Sequence, residues 1–215
     1  MVKIYIVRHG HSKGNQQNLV TGHFNCELSE TGIKQAELIG DFIAANIKVD
    51  KFYSSDLIRA VDTLKPASDA LNIPIIGESA FREMHAGIWE GMPFPEIDRL
   101  YPNEFQAWTN MENYPCPKGG ETWESMLKRV TERLNEIVKE NDNKTIVIST
   151  HGGVIRGLQC YFAGIDLSQI KDLEWVPNAS ISEIWYENGK YEIKRVGFDD
   201  YLGKLTTQLP KTVYK

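Results

Sequence analysis

Two histidines stand where they could do chemistry: His9 in Arg8-His9-Gly10, and His151 in Thr150-His151-Gly152-Gly153. Each follows an apolar, β-branched run and precedes glycine, the pattern of a strand delivering a side chain to a sharp turn at its carboxyl end. Sites in open α/β sheets form there, where loops lead into helices. Two such strands side by side would bring both imidazoles to one point. Arg8 adds a fixed cation, Arg59 follows another short strand, and Asn15 offers an amide from the loop after the first. Two guanidiniums and two imidazoles converging on sheet ends suit a tetrahedral dianion, a phosphoryl group above all. His9 and His11 also form an HxH pair, but no further ligand set accompanies it and Arg8 would repel a cation.

The elements that must position these groups are legible in turn. Val2–Val7 reads as a strand covered on both faces, being almost continuously apolar. Ser29 precedes a helical face of Ile33, Ala36, Ile39 and Ile43. Lys51–Ser54 is a second strand, followed by a helix over 57–71 in which Pro66 marks a kink or break. Residues 74–77 form a weaker strand. Glu121–Lys139 reads as an amphipathic helix, Thr145–Ser149 as the clearest strand and Val154–Phe162 as the helix after it. Ser180–Tyr186 and Tyr191–Val196 flank Asn188-Gly189, a hairpin signal. Strand–helix alternation of this kind makes an α/β sheet flanked by helices. Between about 81 and 120 five prolines break the regularity, and a helical turn or two is expected around Glu96–Trp108.

The chain has 215 residues, 41% of them hydrophobic, and a net charge of −5. That is the size of one domain, and the charge argues against nucleic acid or an anionic membrane as main partner. Cys26, Cys116 and Cys160 are odd in number and form no CxxC pair, so neither a disulfide framework nor a thiolate zinc site is encoded. No signal peptide or membrane span is evident, so a cytoplasmic location is the expectation. Asn143 and Asn178 match glycosylation acceptors only by chance on that reading. The nucleotide, dinucleotide, serine-hydrolase and zincin motifs are absent.

Taken with Asn15, the Arg8-His9-Gly10 triplet resembles the signature of the histidine phosphatases, the phosphoglycerate mutase-like superfamily. The likeness extends through Thr21–Ala36, Ser54–Thr63, Phe81-Arg82-Glu83 with Gly87–Gly91, Gly119–Thr122 and Ser149–Arg156, in family order over nearly the whole chain. It implies a three-layer αβα sandwich with a mostly parallel central sheet, forming a single domain with a cap-like insertion at about 81–120. It also implies that His9 is the nucleophile, that Arg8, Arg59, His151 and Asn15 hold the phosphoryl oxygens, and that Glu83 is the general acid and then the base. A neutral His9 suits that role, and the arginines would keep it neutral. His151 is expected to donate, most readily when protonated, and a Glu83 that starts protonated favours mildly acidic pH. No metal or other cofactor is expected, since the guanidiniums supply the charge. His11 departs from the family, which usually has glutamate there.

Family members either hydrolyse phosphate esters or move the phosphoryl group to a second hydroxyl. Mutases need cations for a second anion, yet 81–121 holds Arg82, Arg99 and Lys118 against seven carboxylates. They also carry Arg-His-Tyr-Gly where Met84-His85-Ala86-Gly87 stands. The expectation is therefore a phosphomonoesterase acting on a small organic phosphate, similar to broad-specificity or α-ribazole phosphatases; a mutase or a non-catalytic phosphate binder is the alternative. Phe81, Trp89, Phe94, Tyr101, Phe105, Trp108, Tyr114 and Trp123 crowd this stretch as a local core or as an apolar lid. His23 and His85 are expected on loops or at the pocket rim, Glu90 competes with Glu83 for the acid role, and Glu121-Thr122 reads as a helix start.

Overall fold

The computed structural model describes residues 1–110 and 116–207. Glu112, Tyr114 and Pro115, counted above, lie outside the described residues. The strands are β1 (Val2–Arg8), β2 (Lys51–Ser54), β3 (Ile75–Gly77), β4 (Thr145–Thr150), β5 (Ile181–Glu187) and β6 (Lys190–Phe198). They form one sheet in the order β3-β2-β4-β1-β5-β6. The first four run parallel, while β5 pairs antiparallel with both β1 and β6. Asn188 (φ 52°) and Gly189 (φ 79°) turn the β5–β6 hairpin in the left-handed region, as an Asn-Gly loop requires.

The helices are α1 (Lys13–Gln16), α2 (Glu30–Asn46), α3 (Ile58–Leu71), α4 (Phe94–Leu100), α5 (Pro102–Thr109), α6 (Trp123–Glu140) and α7 (Gly152–Ala163). Side chains alternate along β1, so Ile4 and Ile6 join Met126, Val130, Leu134 and Leu158 of α6 and α7 on one face. Val7 meets Ile39, Ile43 and Leu64 of α2 and α3 on the other. These two cores are why β1 reads as one apolar run, and the result is the three-layer sandwich. Each fully buried aliphatic side chain contributes about 2 kcal/mol.

Pro66 neither breaks nor ends its helix: α3 runs through it. Its ring packs against Gly40 of α2, where a Cβ would meet it at 2.7 Å, so the lost backbone bond is exchanged for close helix packing. The expected helical turn in the proline-rich stretch resolves into α4 and α5. With Trp89 and Ile97 fully enclosed, Phe94, Tyr101, Phe105 and Trp108 build a third, smaller core there. Among the described residues, no helix is long and apolar enough to cross a membrane.

Candidate active site

Because β1 and β4 are parallel neighbours with Arg8 opposite Thr150, the next residue of each is a histidine at the same sheet edge. The His9 amide donates to Thr150 O at 2.9 Å, and the two imidazole centroids lie 5.1 Å apart. His9 Nδ1 stands 2.7 Å from Gly10 O; a carbonyl only accepts, so Nδ1 carries the proton and Nε2 keeps the lone pair. Burial, with Arg59 and Arg8 alongside, holds the His9 pKa well below that of an ordinary imidazole. His151 is fully buried and shifted down for the same first reason, aided by Arg59 and His9.

The glycines after these histidines act by closeness rather than by turning. Gly10, Gly152 and Gly153 all lack the positive φ of a glycine turn. Instead a Cβ on Gly10 would meet Gly32 O at 2.9 Å, and one on Gly152 would press on the Trp175 ring at 3.0 Å.

A cavity of about 380 Å³ opens over this edge. Arg8, His9, His11, Asn15, Glu83 and Asn178 line its polar part, and Arg8 is the single arginine or lysine among the described lining residues. Met84, Trp89, Phe94, Trp108, Trp123 and Trp175 supply apolar wall. The aromatic stretch is thus both a local core and a wall of the site, since Trp89, Phe94 and Trp108 serve in each.

Arg8 Nη1 donates to Val176 O at 2.5 Å. Arg59, fully buried, sits behind the lining: its terminal nitrogens donate to Gly22 O (2.8 Å) and Phe24 O (3.0 Å), tying down the loop after α1. Asn15 spends its oxygen on the Ser12 amide and hydroxyl, both at 3.0 Å, so its NH2 is the side left to offer an anion. Glu83 accepts from the Met84 amide through Oε1 and from the Gly153 amide through Oε2, each at 3.0 Å. The second bond anchors it at the amino end of α7, beside His151. Glu90 does not line the cavity; it accepts from the His23 and Ala86 amides at 2.7 and 3.1 Å.

His23 and His85 are not on the cavity wall. Their rings meet edge-on at 4.9 Å beneath Glu83, and His23 Nε2 donates to Glu83 O at 2.8 Å. His85 takes Gly119 O at 3.0 Å and lies 3.6 Å from Glu90. His11 does line the wall, with Nδ1 2.8 Å from Ser29 Oγ, the hydroxyl that also caps α2. Burial, then Arg8, lowers its pKa too. Thr122 caps α6, as a helix start should, while Glu121 takes both forks of Arg129 at 2.8 and 2.7 Å.

Three supporting residues carry no signal that would single them out in the sequence. Asn178, noted above only as a chance acceptor, donates to His9 O at 3.0 Å. Arg129 gathers the carbonyls of Ala80, Arg82 and Glu83 at 2.7–3.0 Å, fixing the segment that carries the Glu83 carboxylate. Ser55 contacts His151.

With this edge geometry in place, residues 4–199 match the histidine phosphatase superfamily (branch 1), and the chain belongs to that family. It is 32% identical to phosphoserine phosphatase 1 of Hydrogenobacter thermophilus over 99% of this chain and 100% of that one. It is also 32% identical to phosphoglycerate mutase-like protein 4 of Arabidopsis thaliana, over 73% of this chain and 69% of that one. Among solved structures, Bacillus stearothermophilus YhfR superposes with a TM-score of 0.89 at 26% identity, covering 94% of this chain and all of that one.

Proposed function

We propose that this protein hydrolyses small phosphate monoesters through a phosphohistidine on His9, without a metal. The observation that carries the reading is the tautomer of His9: Nδ1–H is committed to Gly10 O, so the Nε2 lone pair is available beside Arg8 in a cavity that Glu83 also lines. In the first step Nε2 attacks phosphorus and the ester P–O bond breaks, its electron pair leaving on the alkoxide oxygen, which takes a proton from Glu83. Water then attacks the phosphohistidine, Glu83 takes a water proton, and the P–N electrons return to Nε2 as inorganic phosphate departs. Charge spread over the equatorial oxygens meets Arg8 and the Asn15 amide on the cavity wall, with Arg59 and His151 acting from just behind it, the electrostatic work that phosphoryl transfer chiefly needs.

On this reading the phosphate lies at the polar end of the cavity and the organic body against the tryptophans. The described residues between 81 and 120 form a cap-like insertion beside that body, and the enzyme works in the cytoplasm. Arg82, Arg99 and Lys118 do not line the cavity, and Arg82 is occupied by Asp56 at 2.6 Å, so a second anion finds no cation there. That favours hydrolysis over mutase transfer. Phosphoserine, the substrate named for the full-length relative, heads the panel to be compared with aryl and longer alkyl phosphates.

The test is phosphate release from p-nitrophenyl phosphate in excess EDTA, from about pH 4.5 to about 8, for wild type and His9→Ala. Wild-type turnover that survives EDTA, with a loss of about a thousandfold or more in the variant, is expected. Enzyme quenched in alkaline detergent, which spares the acid-labile P–N bond, should carry one phosphoryl group on the peptide containing His9. Turnover abolished by EDTA, or retained by His9→Ala, would overturn the mechanism.

A further inference from the structure

Building on the phosphatase reading, we propose that Ser55 is a positioning residue that sets the tautomer of His151, so that a neutral imidazole presents an Nδ1–H to the phosphoryl group. The pair comes from neighbouring strands: Ser54 of β2 is in register with Ser149 of β4, and Ser55 and His151 lie just beyond them. The Ser55 amide donates to Ser149 O at 2.8 Å, which locks the serine in place. Its Oγ is then 2.8 Å from His151 Nε2.

The direction of that bond follows from Ser55's other neighbour. The Leu57 amide, which can only donate, points at Ser55 Oγ from 3.3 Å. The hydroxyl oxygen accepts from Leu57, and among the described residues its own proton has no acceptor other than His151 Nε2, so it donates there. A neutral ring that accepts at Nε2 carries its hydrogen on Nδ1. His151 Nδ1 is buried and has no hydrogen-bond partner among the described residues. A buried donor left in that state costs stability unless something comes to accept from it. The His9 ring 5.1 Å away is where a phosphoryl group would arrive.

Protonation is the other way to make His151 a donor, and its surroundings oppose it. Burial comes first, then Arg59 from α3 and His9 after β1, with Arg129 from α6 and His23 beneath Glu83 adding like charge. Ser55 makes the ring a donor without that cost. The expectation that His151 works best when protonated is replaced by a neutral donor of defined tautomer.

The experiment reads the tautomer directly, in the wild-type protein labelled with ¹⁵N at histidine. Two-bond nitrogen–proton correlations distinguish Nδ1–H from Nε2–H, and a His151→Gln spectrum assigns the ring. The expected result is Nδ1–H for His151 near neutral pH. An Nε2–H ring would overturn the proposal whatever any variant does. Kinetics give the second arm. Ser55→Ala should lower kcat/KM for p-nitrophenyl phosphate about tenfold at neutral pH, the loss narrowing toward acid, where a doubly protonated ring donates regardless. Ser55→Thr, which keeps the hydroxyl, should recover most of it. An equal loss at every pH that threonine does not rescue would reduce Ser55 to a packing role and refute the assignment. Absence of turnover in the wild type would count against the enzymatic reading alone, because the spectrum decides the Ser55 assignment without it.

Discussion

Gly153→Ala offers a way to displace the proposed acid without touching its chemistry. A Cβ at this position would lie 2.5 Å from Glu83 Oε1, roughly 0.9 Å inside the 3.4 Å at which ordinary contact begins. It would also crowd Cδ at 3.2 Å, so the whole carboxylate must shift. Backbone is not strained, because Gly153 lacks a positive φ, and alanine gains up to about 1 kcal/mol over glycine in a helix. The protein should therefore melt no lower than wild type. A displacement of about 1 Å in a catalytic group costs on the order of 100-fold. That loss should fall on the step in which the leaving oxygen needs a proton. For an alkyl ester that the enzyme turns over, phosphoserine being tried first, kcat/KM should drop about 100-fold. For p-nitrophenyl phosphate, whose nitrophenolate departs unprotonated, the drop in kcat/KM should be roughly tenfold or less. The ratio of the two losses is the measurement, with thermal denaturation as the control. An equal fall on both esters would mean that the substitution damages phosphate binding, and an unchanged alkyl ester rate would remove Glu83 from the acid role.

Asn178→Ala removes the donor to His9 O and should lower kcat about tenfold while leaving KM nearly unchanged; a loss confined to KM would contradict it. Arg129→Leu leaves half-buried Glu121 without its counter-charge and the Ala80 and Arg82 carbonyls without a donor, and should cost about 3 kcal/mol in urea denaturation, with Arg129→Lys recovering part. Burial raises the Glu121 pKa, but its hydrogen bond and ion pair with Arg129 win and hold it below the ordinary carboxylate value. The stability it lends is therefore present above that value and lost as pH falls through the lowered pKa, a slope that Glu121→Gln should flatten. His9 must be neutral to attack, and burial with the two arginines pushes its pKa down, so the acidic limb of kcat/KM should lie well below the ordinary imidazole value of 6.5. A limb at that value would mean that the arginines do not act on the nucleophile as described.

What local chemistry controls was legible in the chain itself. Apolar runs ending in histidine announced β1 and β4, Asn188-Gly189 announced the hairpin, and Ser29 and Thr122 announced their helices, because each depends on residues a few positions apart. The five motif blocks pointed to the family for the same reason: each is a short stretch whose spacing is preserved in the chain. Even the meeting of His9 and His151 followed from two parallel strands ending alike. Which groups support them did not follow. Asn178 reaches His9, Arg129 reaches the carbonyl of Glu83, and Ser55 reaches His151 across 169, 46 and 96 positions of sequence. No periodicity or propensity records such pairs, since only the packed sheet decides which loop lies over which. The same holds for glycine. Gly10 and Gly152 looked like turn residues, yet it is the neighbouring Gly32 carbonyl and the Trp175 ring that leave no room for a side chain. His23 and His85 do lie on loops, as expected, but only tertiary packing puts their rings together beneath Glu83. Sequence determined the chemical groups and the strand ends that carry them; the tertiary structure decided their tautomers, their partners and the cavity they share, because those depend on atoms brought close only when the layers close on one another.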